Sequence, residues 1–360
     1  MTLSVFTRTA LTLLGALLGA ELCVALHTPI PWMLGPLLAT ALASMVGLPT
    51  RSSGRLRNVG QWVIGAALGL YFTPQVGALV LQLWWAIALG IAWSLTMGWS
   101  FGLWLQRRHQ SDLGALGARR LRATSYFAGA IGGASEMTLL AERMGARTDL
   151  VAASHSLRLV MVVVSVPFAM QWAQSHWGLQ VDPSLRSVGR EAHWPGLLWL
   201  GAATLVGAQL MLWLRRTNPW FMGALCASMA VSLAGVFWSA VPTELVNAAQ
   251  LFIGTSLGVG FRREFLHTAP RWLTSVGLGT AAMLGLSALF GWGMALLVGQ
   301  HPATLILGTS PGGIAEMAIT AKVLQLGVPV VTAFQVCRLV AVLVLVAPLF
   351  DWLERKGHLA

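Results

Sequence analysis

Apolar runs of about 17–25 residues follow one another along the whole chain, and that is the length a helix needs to cross the hydrocarbon of a bilayer. With 56% hydrophobic and only 10% charged residues, the chain cannot furnish the polar surface of a water-soluble domain of this size. The alternating ten-residue segments of a membrane β-barrel do not occur. The sequence therefore predicts an all-α polytopic membrane protein. An apolar run also begins soon after Arg8, but it contains Glu21 and has no small-residue cleavage site. It is expected to be a retained first span and not a signal peptide.

The formal net charge of +11 raises the question of nucleic acid. The arginines, however, lie mostly in short connectors between apolar runs, as in the cytoplasmic loops of membrane proteins. The longest basic connector, 107–122, is too short for a folded DNA-binding domain. No direct nucleic-acid partner is expected. Cys23, Cys226 and Cys337 fall inside apolar runs with no pairing pattern and read as small buried hydrophobes.

The chain repeats itself. PWMLG at 31–35 returns as PWFMG at 219–223, and NVGQWVIGAALG at 58–69 returns as NAAQLFIGTSLG at 247–258. GGASEM at 132 returns as GGIAEM at 312, LRLV at 157 as CRLV at 337, and Glu21-Leu22 matches Gln209-Leu210. A tandem duplication accounts for this, with one membrane repeat over 1–178 and a second over 190–360 within a single integral membrane domain. Each half holds six hydrophobic segments, at about 9–27, 31–48, 58–73, 77–106, 123–142 and 149–175, then 194–214, 219–238, 245–261, 272–299, 302–325 and 328–353.

Lysine and arginine positions orient these segments, because cytoplasmic loops hold them in excess. If all twelve cross, loops on one side carry 13 basic residues and loops on the other carry 7. If the two Gly-Gly segments instead enter and leave on the same side, 18 basic residues lie in cytoplasmic loops and only Arg186 and Arg190 lie outside. The second arrangement has the stronger bias. It gives five crossings per half, cytoplasmic N- and C-termini, and two repeats of inverted topology, each with a re-entrant Gly-Gly hairpin, the plan of many secondary transporters.

A break at membrane depth leaves backbone groups unpaired, which is tolerated only inside protein or along a wet cavity. After Gly132-Gly133 and Gly312-Gly313 a second half-helix is expected to start near Ala134 and Ile314, with free N–H groups and a positive dipole end. Such an end takes an anion or a capping carboxylate. Glu136 and Glu316 stand in that first turn beside Ser135, either as simple caps or as part of a central proton, cation or substrate site. Arg158 and Arg338 sit mid-segment at matching positions. They read either as ion-pair partners of those glutamates or as planar forks for an anionic substrate. Asn58 with Gln61, and Asn247 with Gln250, share a helix face with glycines at four-residue spacing, which favours tight helix packing but leaves the amides as candidate ligands. His155, matched by Gln335, reads as a satisfied interior histidine.

PWMLG, the Q-x-x-x-G-x-x-x-G run, GGASEM, SPGGIAEM and the arginine-bearing last segment of each half resemble the membrane AbrB duplication family of bacterial inner-membrane proteins, over about 10–353. The resemblance implies a bacterial inner-membrane location and carries two functional labels, regulation of gene expression and ammonia monooxygenase. An unrelated small soluble DNA-binding regulator shares the family's name, and this sequence cannot adopt its fold. The oxygenase label fits poorly, since copper or iron chemistry needs converging histidines. The eight histidines have no i, i+3 or i, i+4 pair, so neither a metal, a cofactor nor an enzymatic activity is expected.

The expected function is secondary transport or export of a small polar or anionic solute, with a proton or cation as the coupling ion left open and any effect on gene expression indirect. A membrane-embedded sensor that binds a ligand without moving it is the alternative, with the 107–122 connector as its contact surface. The bilayer is the certain partner, and self-association into a homo-oligomer stays open.

Overall fold

A computed structural model describes residues 4–113, 117–177, 191–216, 218–261 and 270–356. Arg186, Arg190 and most of the 262–271 connector lie outside the described residues. Among the described residues every regular element is helical. In the first half these are α1 (Val5–Ala25), α2 (Pro31–Met45), α3 (Gly54–Gly69), α4 (Pro74–Gln82), α5 (Trp84–Leu113), α6 (Ala118–Gly129), α7 (Ala134–Arg143) and α8 (Thr148–Trp177). In the second they are α9 (Trp194–Trp213), α10 (Pro219–Leu233), α11 (Thr243–Val259), α12 (Pro270–Val298), α13 (Pro302–Thr309), α14 (Ile314–Val323) and α15 (Val328–Arg355).

Six of them (α1, α5, α8, α9, α12 and α15) are long and apolar enough to cross a membrane. This is the make-up of a multi-pass membrane protein. Four more, α2, α3, α10 and α11, have 15, 16, 15 and 17 residues. Proline opens α2, α4, α10, α12 and α13, a position where its missing N–H costs nothing and its fixed φ suits the helix.

One expected segment divides differently. In place of a single run over 77–106, α4 bends 89° from α3 and a second helix, α5, starts at Trp84. Pro74 explains the corner: it disfavours helical backbone at Thr73 and opens a new helix itself. Matching corners recur in both halves. Ile30 and Asn218 precede the prolines that start α2 and α10, with φ of 50° and 47°, and His27 and Arg215 have φ of 54° and 50°. Asparagine tolerates this left-handed region, whereas β-branched Ile30 is strained there and is held by complete burial.

The chain forms two compact units, each drawing on both halves. The first comprises 1–82, 167–264 and 318–329. In it α2 packs on α1 and α11, and α10 packs on α9 and α3. Glycines make these approaches close. A methyl on Gly19 would stand 2.6 Å from the Gly35 carbonyl oxygen, and one on Gly223 would stand 2.5 Å from Ala208 Cα. Gly65 and Gly69 face α10, and Gly254 and Gly258 face α2. The glycine spacing read from the sequence is therefore a packing surface.

The second unit comprises 83–166, 265–317 and 330–360. Its core includes Tyr126, Phe127, Met137, Trp272 and Phe350. The rings of Tyr126, Phe127 and Phe350 lie 5.2–5.5 Å apart, and the Tyr126 hydroxyl donates to Val346 O at 3.0 Å. Gly129 on α6 faces Gly98 and Gly102 on α5, so that a methyl on Gly129 would stand 2.6 Å from the Gly98 carbonyl oxygen.

Candidate functional site

Both Gly-Gly segments are broken helices, and all four glycines lie in the second unit. α6 stops at Gly129, Ala130 turns to extended backbone (φ −54°, ψ 140°), and α7 starts at Ala134. In the second half α13 stops at Thr309, Ser310 takes φ −59° and ψ 142°, and α14 starts at Ile314. The half-helices thus begin where the sequence predicts. After α7 the chain comes back beside the middle of α6, where the Arg147 N–H donates to Thr124 Oγ1 at 2.9 Å.

The glycines serve space more than backbone freedom. None of the four has a positive φ. A methyl on Gly132 or Gly312 would stand 2.7 or 2.8 Å from the side chain of Met137 or Met317. On Gly133 or Gly313 it would overlap the carboxylate of Glu136 or Glu316. Gly133 is the N-cap of α7 and has no side chain to offer, so the carboxylate three residues on, folded back over it, is half of a capping box. A negative group there also meets the positive end of the helix dipole. Glu316 is buried and Glu136 half-buried. The side chain of Ser135 lies outside the described residues.

The ends of the first half-helices are held by α8 and α15. Arg158 donates from Nη1 to Gly129 O at 3.1 Å and from Nη2 to Ala128 O at 3.0 Å. Its Nη2 also contacts His155 Nδ1 at 2.9 Å, and His155 Nε2 lies 2.9 Å from Phe127 O. The second half repeats the arrangement. Arg338 donates from Nη1 to Ser310 O at 2.5 Å and from Nη2 to Gly312 O and Gln335 Oε1, both at 2.6 Å. Gln335 Nε2 contacts the carbonyls of Leu307, Gly308 and Ser310 at 2.8, 3.2 and 3.2 Å. Apart from Gly312 O, which lies in the break itself, these are the carbonyls that a helix end leaves without intrahelical partners, and a cation is favoured at that end of the dipole.

Of the two readings left open for the arginines, the ion pair is not the one seen here. Among the described residues neither Arg158 nor Arg338 pairs with a carboxylate; the forks are turned to backbone oxygen. The carbonyls of a break that has lost its own ladder must find donors locally in a low-dielectric interior, and the arginines supply them. Both are buried, at 3% and 5% exposed. The residues reasoning from sequence underrated are His155 and Gln335. Their signal was available: each stands three positions before its arginine, on the same helix face.

The four amides fall in the first unit, apart from the arginines and glutamates. With the Asn58 amide turned so that its oxygen accepts from Trp220 Nε1 at 3.2 Å, its nitrogen donates to Gly54 O at 3.3 Å. Gln250 is buried, while Gln61 and Asn247 are half-buried. Among the described residues no group of three or more His, Cys, Asp or Glu side chains is placed to hold a metal ion.

The chain is 25% identical over 353 residues to the uncharacterized protein YhjN of Bacillus subtilis (strain 168), covering 90% of this chain and 88% of that one. It is 24% identical over 325 residues to the putative regulator AbrB of Escherichia coli (strain K12), covering 89% of each. No solved structure matches it. The family model described as transition state regulatory protein AbrB matches residues 4–354, and with nearly the whole chain matched the protein belongs to the AbrB family.

Proposed function

We propose that this protein is a secondary transporter or exporter of a small polar or anionic solute in a bacterial inner membrane. The observation that carries the reading is the pair of broken helices, each closed at one end by an arginine and at the other by a glutamate. Irregular backbone at membrane depth is maintained only where protein or a wet cavity receives it, and paired half-helices in repeated halves are the usual frame of a transport site. The return of the chain after α7 to α6 at Thr124, on the side of the break from which α6 arrives, supports a hairpin that enters and leaves on one side. In this reading five crossings per half invert the second repeat, both termini are cytoplasmic, and movement of part of the molecule against the rest alternates access. Glu136 and Glu316 are the groups a coupling proton or cation would engage.

The test is flux in proteoliposomes, first screened with labelled carboxylates and phosphate. Glu136→Gln and Glu316→Gln should each slow transport of the identified solute, and the double variant should lower it at least about tenfold, the scale of removing one well-placed charge interaction. Unchanged flux in both single variants and the double would remove the carboxylates from the mechanism.

The printed name of the Escherichia coli relative favours a second reading, a membrane-embedded regulator. Its contact surface would be the basic 107–122 stretch expected as a connector, which runs from the last turns of α5 to the first turns of α6, where Arg107, Arg119 and Arg120 are exposed. Removing that connector would then abolish an expression phenotype that the glutamate variants leave intact.

A further inference from the structure

We infer that Arg158 and Arg338 bracket a site for a compact oxyanion, a small carboxylate or a phosphate- or sulfate-like group, that meets each guanidinium through single N–H donors and not through its fork. The inference rests on the transporter reading and narrows the solute to an anion.

Three observations support it, starting with donors. Each guanidinium has five N–H bonds. In both arginines Nη2 makes two hydrogen bonds and Nη1 makes one. That leaves Nε–H and one Nη1–H on each. These two hydrogens lie on different edges of the guanidinium, so no bidentate face remains. The Nε of Arg338 is buried with no acceptor, although buried donors are almost always satisfied. An oxygen from a ligand would satisfy it.

Charge is the second. Both guanidinium groups are buried, and their bonded partners are all neutral: backbone carbonyls, an imidazole and a carboxamide. Charge held away from water is unfavourable unless something of opposite sign joins it. The third is the pair of half-helix starts at Ala134 and Ile314, whose N–H groups carry the positive end of a dipole. The glutamates that cap them fold back onto Gly133 and Gly313 and are not among the hydrogen-bond partners of either arginine. The burial of both arginines limits the ligand to a small one.

The experiment uses the purified full chain in detergent. Thermal unfolding is followed with sodium acetate, succinate, phosphate and sulfate against sodium chloride at equal ionic strength, and with acetamide and succinamide as uncharged counterparts. At least one anion should raise the midpoint saturably, by about 3 °C or more, because a ligand of the native state stabilises it by mass action. Its amide should not. The shift should vanish in Arg158→Gln and Arg338→Gln. Arg158→Lys and Arg338→Lys, which keep the charge with fewer donors, should need roughly tenfold more anion. If no anion protects the natural protein, the inference is overturned whether or not the variants fold. Protection that persists in folded Arg338→Gln overturns the location. Flux of an uncharged or cationic solute without anion protection would sink the anion site and leave transport standing, whereas saturable anion binding without flux would do the reverse.

Discussion

His155 shows what a single buried ring is required to be. Arginine only donates, so the Nη2 contact at 2.9 Å makes His155 Nδ1 an acceptor. Phe127 O only accepts, so Nε2 must carry the proton that bridges the other 2.9 Å contact. Both bonds are satisfied only by the neutral Nε2–H tautomer. Gln335 does the same work with a carboxamide, its oxygen accepting from Arg338 and its nitrogen donating to carbonyls. His155→Gln should therefore fold and retain flux, with a melting midpoint close to that of the natural protein. His155→Ala leaves Arg158 and Phe127 O short of partners and should cost about 1–3 kcal/mol, read as a lower midpoint. A glutamine variant as unstable as the alanine variant would show that ring packing, and not this hydrogen-bond pattern, holds the position. The sequence aligned His155 with Gln335 but could not reveal their shared task, because the carbonyls they hold become neighbours only once α8 packs on α6.

At the scale of the element, the broken helix is a device for placing two opposite ends near each other without leaving either uncompensated. An arginine from another helix holds the C-terminal carbonyls, and a glutamate of the same half-helix covers the N-terminus. The glycine before the second half-helix makes room for that carboxylate. Gly133→Ala and Gly313→Ala should push it off the helix start, costing about 1 kcal/mol as a lost cap. Flux should fall by a larger factor than this stability loss explains, because the site geometry moves while the fold survives. Flux that merely tracks the amount of folded protein would assign the glycines to stability alone. This element was legible in advance as far as its break and its restart at Ala134 and Ile314, since Gly-Gly followed by a glutamate three residues later carries both signals. For its arginine partners neither an ion pair nor a fork for an anionic substrate anticipated the bonds to backbone oxygen, because composition shows which charges exist and not that free carbonyls nearby compete for them. The corner at Pro74 falls where the sequence divides 58–73 from 77–106, but the second break, at Leu83 between α4 and α5, was missed because apolar content runs straight through it.

For the whole molecule, the two halves of the sequence do not become the two compact units. Matched helices from each half go to the same unit, α1–α3 with α9–α11, and α5–α7 with α12, α13 and the start of α14. Each compact unit of this duplicated chain draws on both copies, and the Gly-Gly breaks of the two copies lie in the same unit. What the halves cannot reveal by length is the number of crossings. At about 1.5 Å per residue a 15-residue helix such as α2 or α10 spans about 22 Å, short of the roughly 30 Å hydrocarbon core. Ten crossings then require the bilayer or the flanking residues to adapt, at a modest cost. Side-specific labelling of single cysteines decides the matter, in a chain whose Cys23, Cys226 and exposed Cys337 are replaced by serine. Arg119→Cys and Arg143→Cys flank the first break on exposed positions, and both should react from the cytoplasmic side alone. Gln300→Cys and exposed Val323→Cys flank the second and should react from the other side alone. Opposite sidedness within either pair turns that hairpin into a full crossing, and the same side for all four removes the inversion; in both cases the broken helices would have to act within a different topology.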